Sequence, residues 1–126
     1  MDFQRPQWLE RVTSTNTALL ERLQGGQRLA DGTVLAAAEQ TAGRGRGDRR
    51  WLTQPGRDLA FSFVLHAAAE PQRLCSLSMA VALGVADCLD GYGVCGRTKW
   101  PNDVVAKGGK IAGILPEVPG GVRRAG

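Results

Sequence analysis

TVLAAAEQTAGRGRGDRRWLTQPGRDLAFSFVLHA, residues 33–67, is the stretch around which the chain organises itself. Residues 33–40 are mostly apolar and read as a strand that delivers Glu39 and Gln40 at its end. Residues 59–67 alternate as a second strand, with Phe61, Phe63 and Leu65 on one face. Between them lies QTAGRGRGDRRW, residues 40–51, rich in glycine and arginine. Anchored by a strand at each end, it reads as a long loop crossing beside a sheet rather than as a free tail.

The loop's composition suggests an anionic ligand. Gly43, Gly45 and Gly47 let the backbone approach closely and present N–H groups without a Cβ in the way. Arg44 and Arg46 can each donate paired hydrogen bonds to phosphate or carboxylate oxygens. Trp51 can stack on a purine or pack over the loop. The pattern is neither GxxxxGK[ST] nor the dinucleotide fingerprint, because no helix is expected behind the glycines. Asp48 cancels charge in the middle, which counts against a general polyanion grip. A solvated basic loop remains the plainer reading of these residues taken alone.

Upstream, residues 8–12 (WLERV) read as a short strand and residues 17–23 (TALLERL) as a helix. TSTN, residues 13–16, lies between them. Ser14, Thr15 or Asn16 can cap the helix, but one cap does not need four such residues. Capping alone and ligand contact by one or two of them both stand as readings. Residues 25–33 are turn-like.

Downstream, after a turn at Glu70–Pro71, residues 73–93 read as the main helix. Leu74, Leu77, Val81, Val85 and Leu89 supply its apolar stripe, and Gly91 is its stop. Residues 94–103 are a strand broken by Pro101. Residues 103–117 read as strand, Gly–Gly turn at 108–109, strand, with Val104, Val105, Ile111, Ile114 and Leu115 facing a core.

Composition bounds the rest. At 126 residues, 43% hydrophobic and 22% charged, the chain is the size of one folded domain with a single core. The net charge of +4 is compatible with an anionic ligand, and five of the sixteen basic residues (Arg44, Arg46, Arg49, Arg50, Arg57) cluster within positions 44–57. Cys75, Cys88 and Cys95 lack CxxC spacing and read as buried free thiols of a reducing, cytoplasmic compartment. No secretory signal opens the chain, and no apolar run of about 18 residues is available to span a membrane. With His66 as the single histidine, a histidine-rich metal site is excluded, and no nucleophile motif supports a serine hydrolase.

Two further stretches carry chemistry. In TKWPND, residues 98–103, Lys99 closes a strand before a proline turn, where it can neutralise charge developing on a phosphoryl group. Asn102 and Asp103 can hold that turn through backbone hydrogen bonds. In GGKIAGILPE, residues 108–117, Lys110 and Gly113 fall in a strand. A glycine there needs a reason, such as close ligand approach.

Taken in order, TSTN, AEQTAGRGRGDRRW (38–51), KWPND (99–103) and GKIAGILPE (109–117) resemble the catalytic domain of the biotin–protein ligases, the biotin–[acetyl-CoA-carboxylase] ligase family. The resemblance implies an α/β fold, a mixed sheet flanked by helices, related to class II aminoacyl-tRNA synthetases. It implies an ATP- and Mg²⁺-dependent ligase that forms biotinyl-5′-adenylate and passes biotin to a lysine of the biotin carboxyl carrier protein. It places Ser14, Thr15 and Gln40 at the biotin head group. Gly43, Arg44 and Arg46 fall in the adenylate-binding loop, which in the family is disordered without ligand. By the same resemblance Arg44 meets the biotin carboxylate or the phosphate, and Trp51 lies on the adenine side. Lys99 sits at the phosphate and the reaction centre, and Gly113, Ile114 and Leu115 beside the biotin tail. No separate protein ligand for the metal is implied, since Mg²⁺ rides on the ATP phosphates.

The chain also departs from the family pattern. Gly47–Asp48 stand where Arg–Gly is common, an expected loosening of the loop or lowering of its charge. Residues 1–117 read as part of the catalytic domain and 118–126 as an atypical tail. Neither the family's N-terminal helix-turn-helix domain nor its C-terminal SH3-like barrel is expected, so DNA binding is not. The competing readings are a small basic nucleic-acid-binding protein and a lipoate–protein ligase-like enzyme.

Overall fold

The computed structural model describes residues 2–66 and 73–119. The expected turn at Glu70–Pro71 and most of the 118–126 tail lie outside the described residues. The chain divides into two compact units rather than around one core.

The first unit holds β1 (Gln7–Val12), α1 (Thr15–Gln24), β2 (Val34–Gln40) and β3 (Ala60–Phe63). β2 is the central strand, parallel to β1 and antiparallel to β3, so the sheet is mixed. Its apolar run VLAA is buried on both faces, as a central strand without polar alternation should be. Leu19 of α1, Leu35 of β2 and Val64 form the core, with Leu9, Ala18, Leu23 and Leu29 packed around them.

The face of β3 that carries Phe61 and Phe63 is its less buried one. Ala60, Ser62 and Val64 are buried, whereas Phe61 is 48% exposed. Leu65 lies beyond the strand. Residues paired across a sheet share a face, and Ser62 and Ala60 pair with Leu35 and Ala37. The face carrying Leu35 is the one α1 covers, and the small Ala60 and Ser62 let the helix lie close over β3. Phe61 pairs instead with Ala36, which also pairs with Trp8 on the opposite face. Phe63 meets Phe3 edge to face, with ring centroids 5.1 Å apart.

The second unit holds α2 (Leu74–Asp90), β4 (Arg97–Lys99), β5 (Asp103–Ala106) and β6 (Gly109–Gly113), the strands forming an antiparallel sheet in that order. α2 packs on β4 and β5 and stops at Gly91, whose N–H donates to the Asp87 carbonyl at 3.3 Å while the Tyr92 N–H donates to the Leu89 carbonyl at 2.9 Å. Its most buried line is Leu74, Ser78 and Ala82. The expected stripe of Leu77, Val81, Val85 and Leu89 is half-buried beside it. Ser78 satisfies its hydroxyl on the Leu74 carbonyl at 3.0 Å.

Three local readings shift. The β5–β6 turn is Lys107–Gly108, both with positive φ (52° and 77°), and Gly109 already belongs to β6. Two residues of positive φ give the turn a twist that suits a tight hairpin. Val104 is fully buried as expected, but Ile111 is 43% exposed and does not face the core. The cysteines are free, but Cys75 is only partly buried and Cys88 and Cys95 are exposed. No helix among the described residues is long and apolar enough to cross a membrane.

Candidate ligand site

The end of β2 and the start of α1 are tied together by backbone. Beyond β2, the Thr41 N–H donates to the Val12 carbonyl at 2.9 Å and the Ala42 N–H to the Thr13 carbonyl at 2.7 Å. Pairing therefore continues past both strands and sets the TSTN turn beside the root of the Gly/Arg loop. Sequence distance between the two motifs becomes adjacency for this reason.

Ser14 is the N-cap of α1. Its backbone is extended, and its Oγ accepts the Thr17 N–H at 3.3 Å. That leaves Thr15 and Asn16 for other work. Thr15, buried, donates its backbone N–H to Gln40 Oε1 at 2.8 Å. Because a backbone N–H can only donate, this bond identifies the Gln40 oxygen and leaves the Gln40 amide nitrogen as a donor elsewhere. Thr15 Oγ1 lies 2.7 Å from Ser62 Oγ, and Ser62 Oγ donates to Asn16 Oδ1. A cluster of four polar side chains (Thr15, Asn16, Gln40, Ser62) thus joins the helix start to the ends of β2 and β3.

The Gly/Arg loop folds back on itself as a hairpin. The Trp51 N–H donates to the Gly43 carbonyl at 2.8 Å and the Gly45 N–H to the Arg49 carbonyl at 2.8 Å, bracketing an antiparallel bridge between Arg44 and Arg50. At the tip the Arg49 N–H closes on the Arg46 carbonyl at 3.2 Å, with Gly47 at φ 65°. Gly47 and Asp48 thus occupy the two central positions of the tight turn that closes the hairpin. Its root is equally constrained. A Cβ on Gly43 would stand 2.5 Å from the Trp51 carbonyl oxygen and 2.8 Å from Gln40 Nε2. Arg44 is partly buried and donates from Nη2 to Thr17 Oγ1 at 2.9 Å, while Asp48, Arg49 and Arg50 are exposed. The hairpin thus turns one guanidinium inward, against the first turn of α1.

Ser14, Thr15, Gln40, Gly43, Arg44, Arg46 and Trp51 all belong to the first unit, and Lys99, Gly113 and Leu115 to the second. Lys99 is the last residue of β4, exposed and paired with Asp103. Asn102 holds the following turn as expected, its Nδ2 donating to the Ile114 carbonyl at 2.7 Å while the Ile114 N–H returns to the Asn102 carbonyl at 2.9 Å. Lys110 reaches across the hairpin to Asp103 at 3.0 Å. Gly113 is exposed and pairs with Asp103, and Leu115 is half-buried. Among the described residues, no group of three or more His, Cys, Asp or Glu could hold a metal ion.

Sequence reasoning missed Ser62 and Thr17. Thr17 looked like an ordinary helix residue. Ser62 looked like filler between two phenylalanines, yet a hydroxyl at a strand position facing a helix is itself a signal, since a buried hydroxyl needs partners.

The first unit thus sets a hydroxyl–carboxamide cluster beside an arginine hairpin on a mixed sheet. The chain belongs to the biotin/lipoate A/B protein ligase family, whose model matches residues 8–124. It is 41% identical over 110 residues to the biotin–[acetyl-CoA-carboxylase] ligase of Mycobacterium tuberculosis, a match covering 83% of this chain and 41% of that protein. It is 36% identical over 110 residues to the bifunctional ligase/repressor BirA of Escherichia coli, covering 86% of this chain and 33% of BirA. Its fold is similar to that of the biotin protein ligase from Aquifex aeolicus in complex with biotin and ATP, with a TM-score of 0.78 and 36% identity over 94% of this chain and 48% of that one. The chain spans less than half the length of these relatives.

Proposed function

We propose that this chain carries the biotin-recognition and adenylate-binding part of a biotin–protein ligase catalytic domain. The reaction has two steps. The biotin carboxylate attacks the α-phosphorus of ATP and pyrophosphate leaves, giving biotinyl-5′-adenylate. A lysine amine of a biotin carboxyl carrier protein then attacks the acyl carbon and AMP leaves, forming an amide.

The residues suit these steps by chemistry. Ser14 and the Gln40 amide nitrogen can donate to a ureido carbonyl, and Thr15 can accept from a ureido N–H. Arg44 and Arg46 carry permanent charge for the carboxylate and for the phosphate that replaces it. Trp51 offers a face for adenine, Lys99 a cation for the phosphate, and Gly113 and Leu115 a small apolar wall for the tail. Mg²⁺ would be held through the nucleotide phosphates and would supply charge neutralisation there.

The observation that carries the reading is the anchoring of the arginine hairpin, through Arg44 and Thr17, to the same helix start that bears Ser14 and Thr15. A lipoyl dithiolane ring has no N–H or C=O for that polar cluster, which favours biotin over lipoate. Exposed Arg49 and Arg50 alone would suit nucleic acid, but the inward turn of Arg44 would serve no purpose there. Calorimetry with biotin and with a non-hydrolysable biotinyl-adenylate analogue tests the assignment. Both should bind, and Arg44→Ala should weaken the analogue at least tenfold, the scale of a lost charged hydrogen bond. Binding of lipoate or RNA in their place would overturn it.

A further inference from the structure

Ser62 has no place in the ligand contacts above, yet it is buried and touches two residues at the start of α1. Counting hydrogens shows what it does. Ser62 and Thr15 have one hydroxyl hydrogen each. Ser62 Oγ donates to Asn16 Oδ1, which uses its hydrogen. The 2.7 Å contact between Thr15 Oγ1 and Ser62 Oγ then needs the hydrogen of Thr15. Thr15 Oγ1 also lies 3.2 Å from Gln40 Oε1, but one hydrogen cannot serve both. The shorter contact has the ordinary length of an O–H···O bond, about 2.7–2.8 Å, and the longer one lies outside the usual range. Gln40 Oε1 is in any case served by the Thr15 backbone N–H at 2.8 Å.

We propose that Ser62 is a positioning residue: the ordered chain Thr15 O–H → Ser62 O–H → Asn16 Oδ1 commits the Thr15 hydrogen inward, so that Thr15 Oγ1 meets the ligand only as an acceptor. The ligand class that fits such an atom carries an N–H at this point, and a ligand offering only an acceptor is rejected there. Ser62 acts from a neighbouring strand, 47 residues along the chain from Thr15. The ligand side of this inference rests on the biotin reading; the order of the hydrogens does not.

Two measurements on the full chain test it separately. In the ligand-free protein, the buried Thr15 hydroxyl proton should show nuclear Overhauser contacts to the Ser62 β-protons, lost in Ser62→Ala. A Thr15 hydroxyl proton lying against the Gln40 side chain, or a Ser62 hydroxyl proton pointing at Thr15, would overturn the proton order. For the ligand, Ser62→Ala should weaken biotin about 3- to 10-fold, the scale of one neutral hydrogen bond. The same change in a Thr15→Val background should have no further effect, because Ser62 acts through Thr15. Asn16→Asp, which keeps the acceptor, should retain most of the wild-type affinity. Equal losses from Ser62→Ala in both backgrounds would overturn the positioning role. Failure of the wild-type chain to bind biotin, with the proton order intact, would instead overturn the proposed function.

Discussion

A methyl group at residue 43 has nowhere to go. Its Cβ would collide with the Trp51 carbonyl oxygen, which is backbone, and with the Gln40 amide, which is fixed from its other end by Thr15. Gly43→Ala should therefore cost about 1–3 kcal/mol, the scale of overpacking a closed site. It should also weaken biotin by displacing Gln40. Denaturant midpoints and calorimetry read the two effects, and an unchanged midpoint would sink the steric argument. At this scale the capping role of Ser14 was legible, because a hydroxyl just before an apolar helical repeat serves the free N–H groups of the first turn, whereas the ligand roles of Gln40 and Arg44 follow from the family resemblance. Ser62 and Thr17 were not legible. A single polar residue in a strand or a helix acquires meaning only when its partner, far off in sequence, is known.

Elements were legible in kind and less so in facing. Strand periodicity marked β3 and which of its residues share a face, but not which face is buried, since that is set by α1 settling over Ala60 and Ser62. The loop at 43–51 is the more telling element. Its turn requires Gly47 at φ 65°, a region where a side chain costs roughly 1–2 kcal/mol. Gly47→Val should open the tip, and cleavage by trypsin after Arg46 and Arg49 in the ligand-free protein should accelerate several-fold. Equal cleavage rates would mean that the hairpin does not depend on the turn. The β5–β6 turn offers the opposite change. Lys107 sits at φ 52°, where asparagine is at less cost, so Lys107→Asn should stabilise by about 0.5 kcal/mol, read as a raised denaturant midpoint.

Across the whole molecule, each unit has its own sheet and its own buried centre. Leu35, fully buried between Leu19 and Val64, is the centre of the first. Leu35→Ala should cost about 2–5 kcal/mol and lower amide-exchange protection through β1, β2 and β3. Protection unchanged in those strands would mean that this cluster is not their core. By itself the amino-acid sequence determined the kinds and order of the elements. Those follow from hydrophobic period, capping chemistry and the backbone freedom of glycine, all of which act over a few residues. Only the three-dimensional structure decided which face of β3 is buried, that Gly47–Asp48 form the tip of a hairpin, and that Ser62 joins Thr15. The first and last depend on contact between segments tens of residues apart, and local sequence carries no record of which segment will arrive there. The loop tip closes locally, between Arg46 and Arg49, but its turn geometry is a matter of backbone angles that composition alone does not specify.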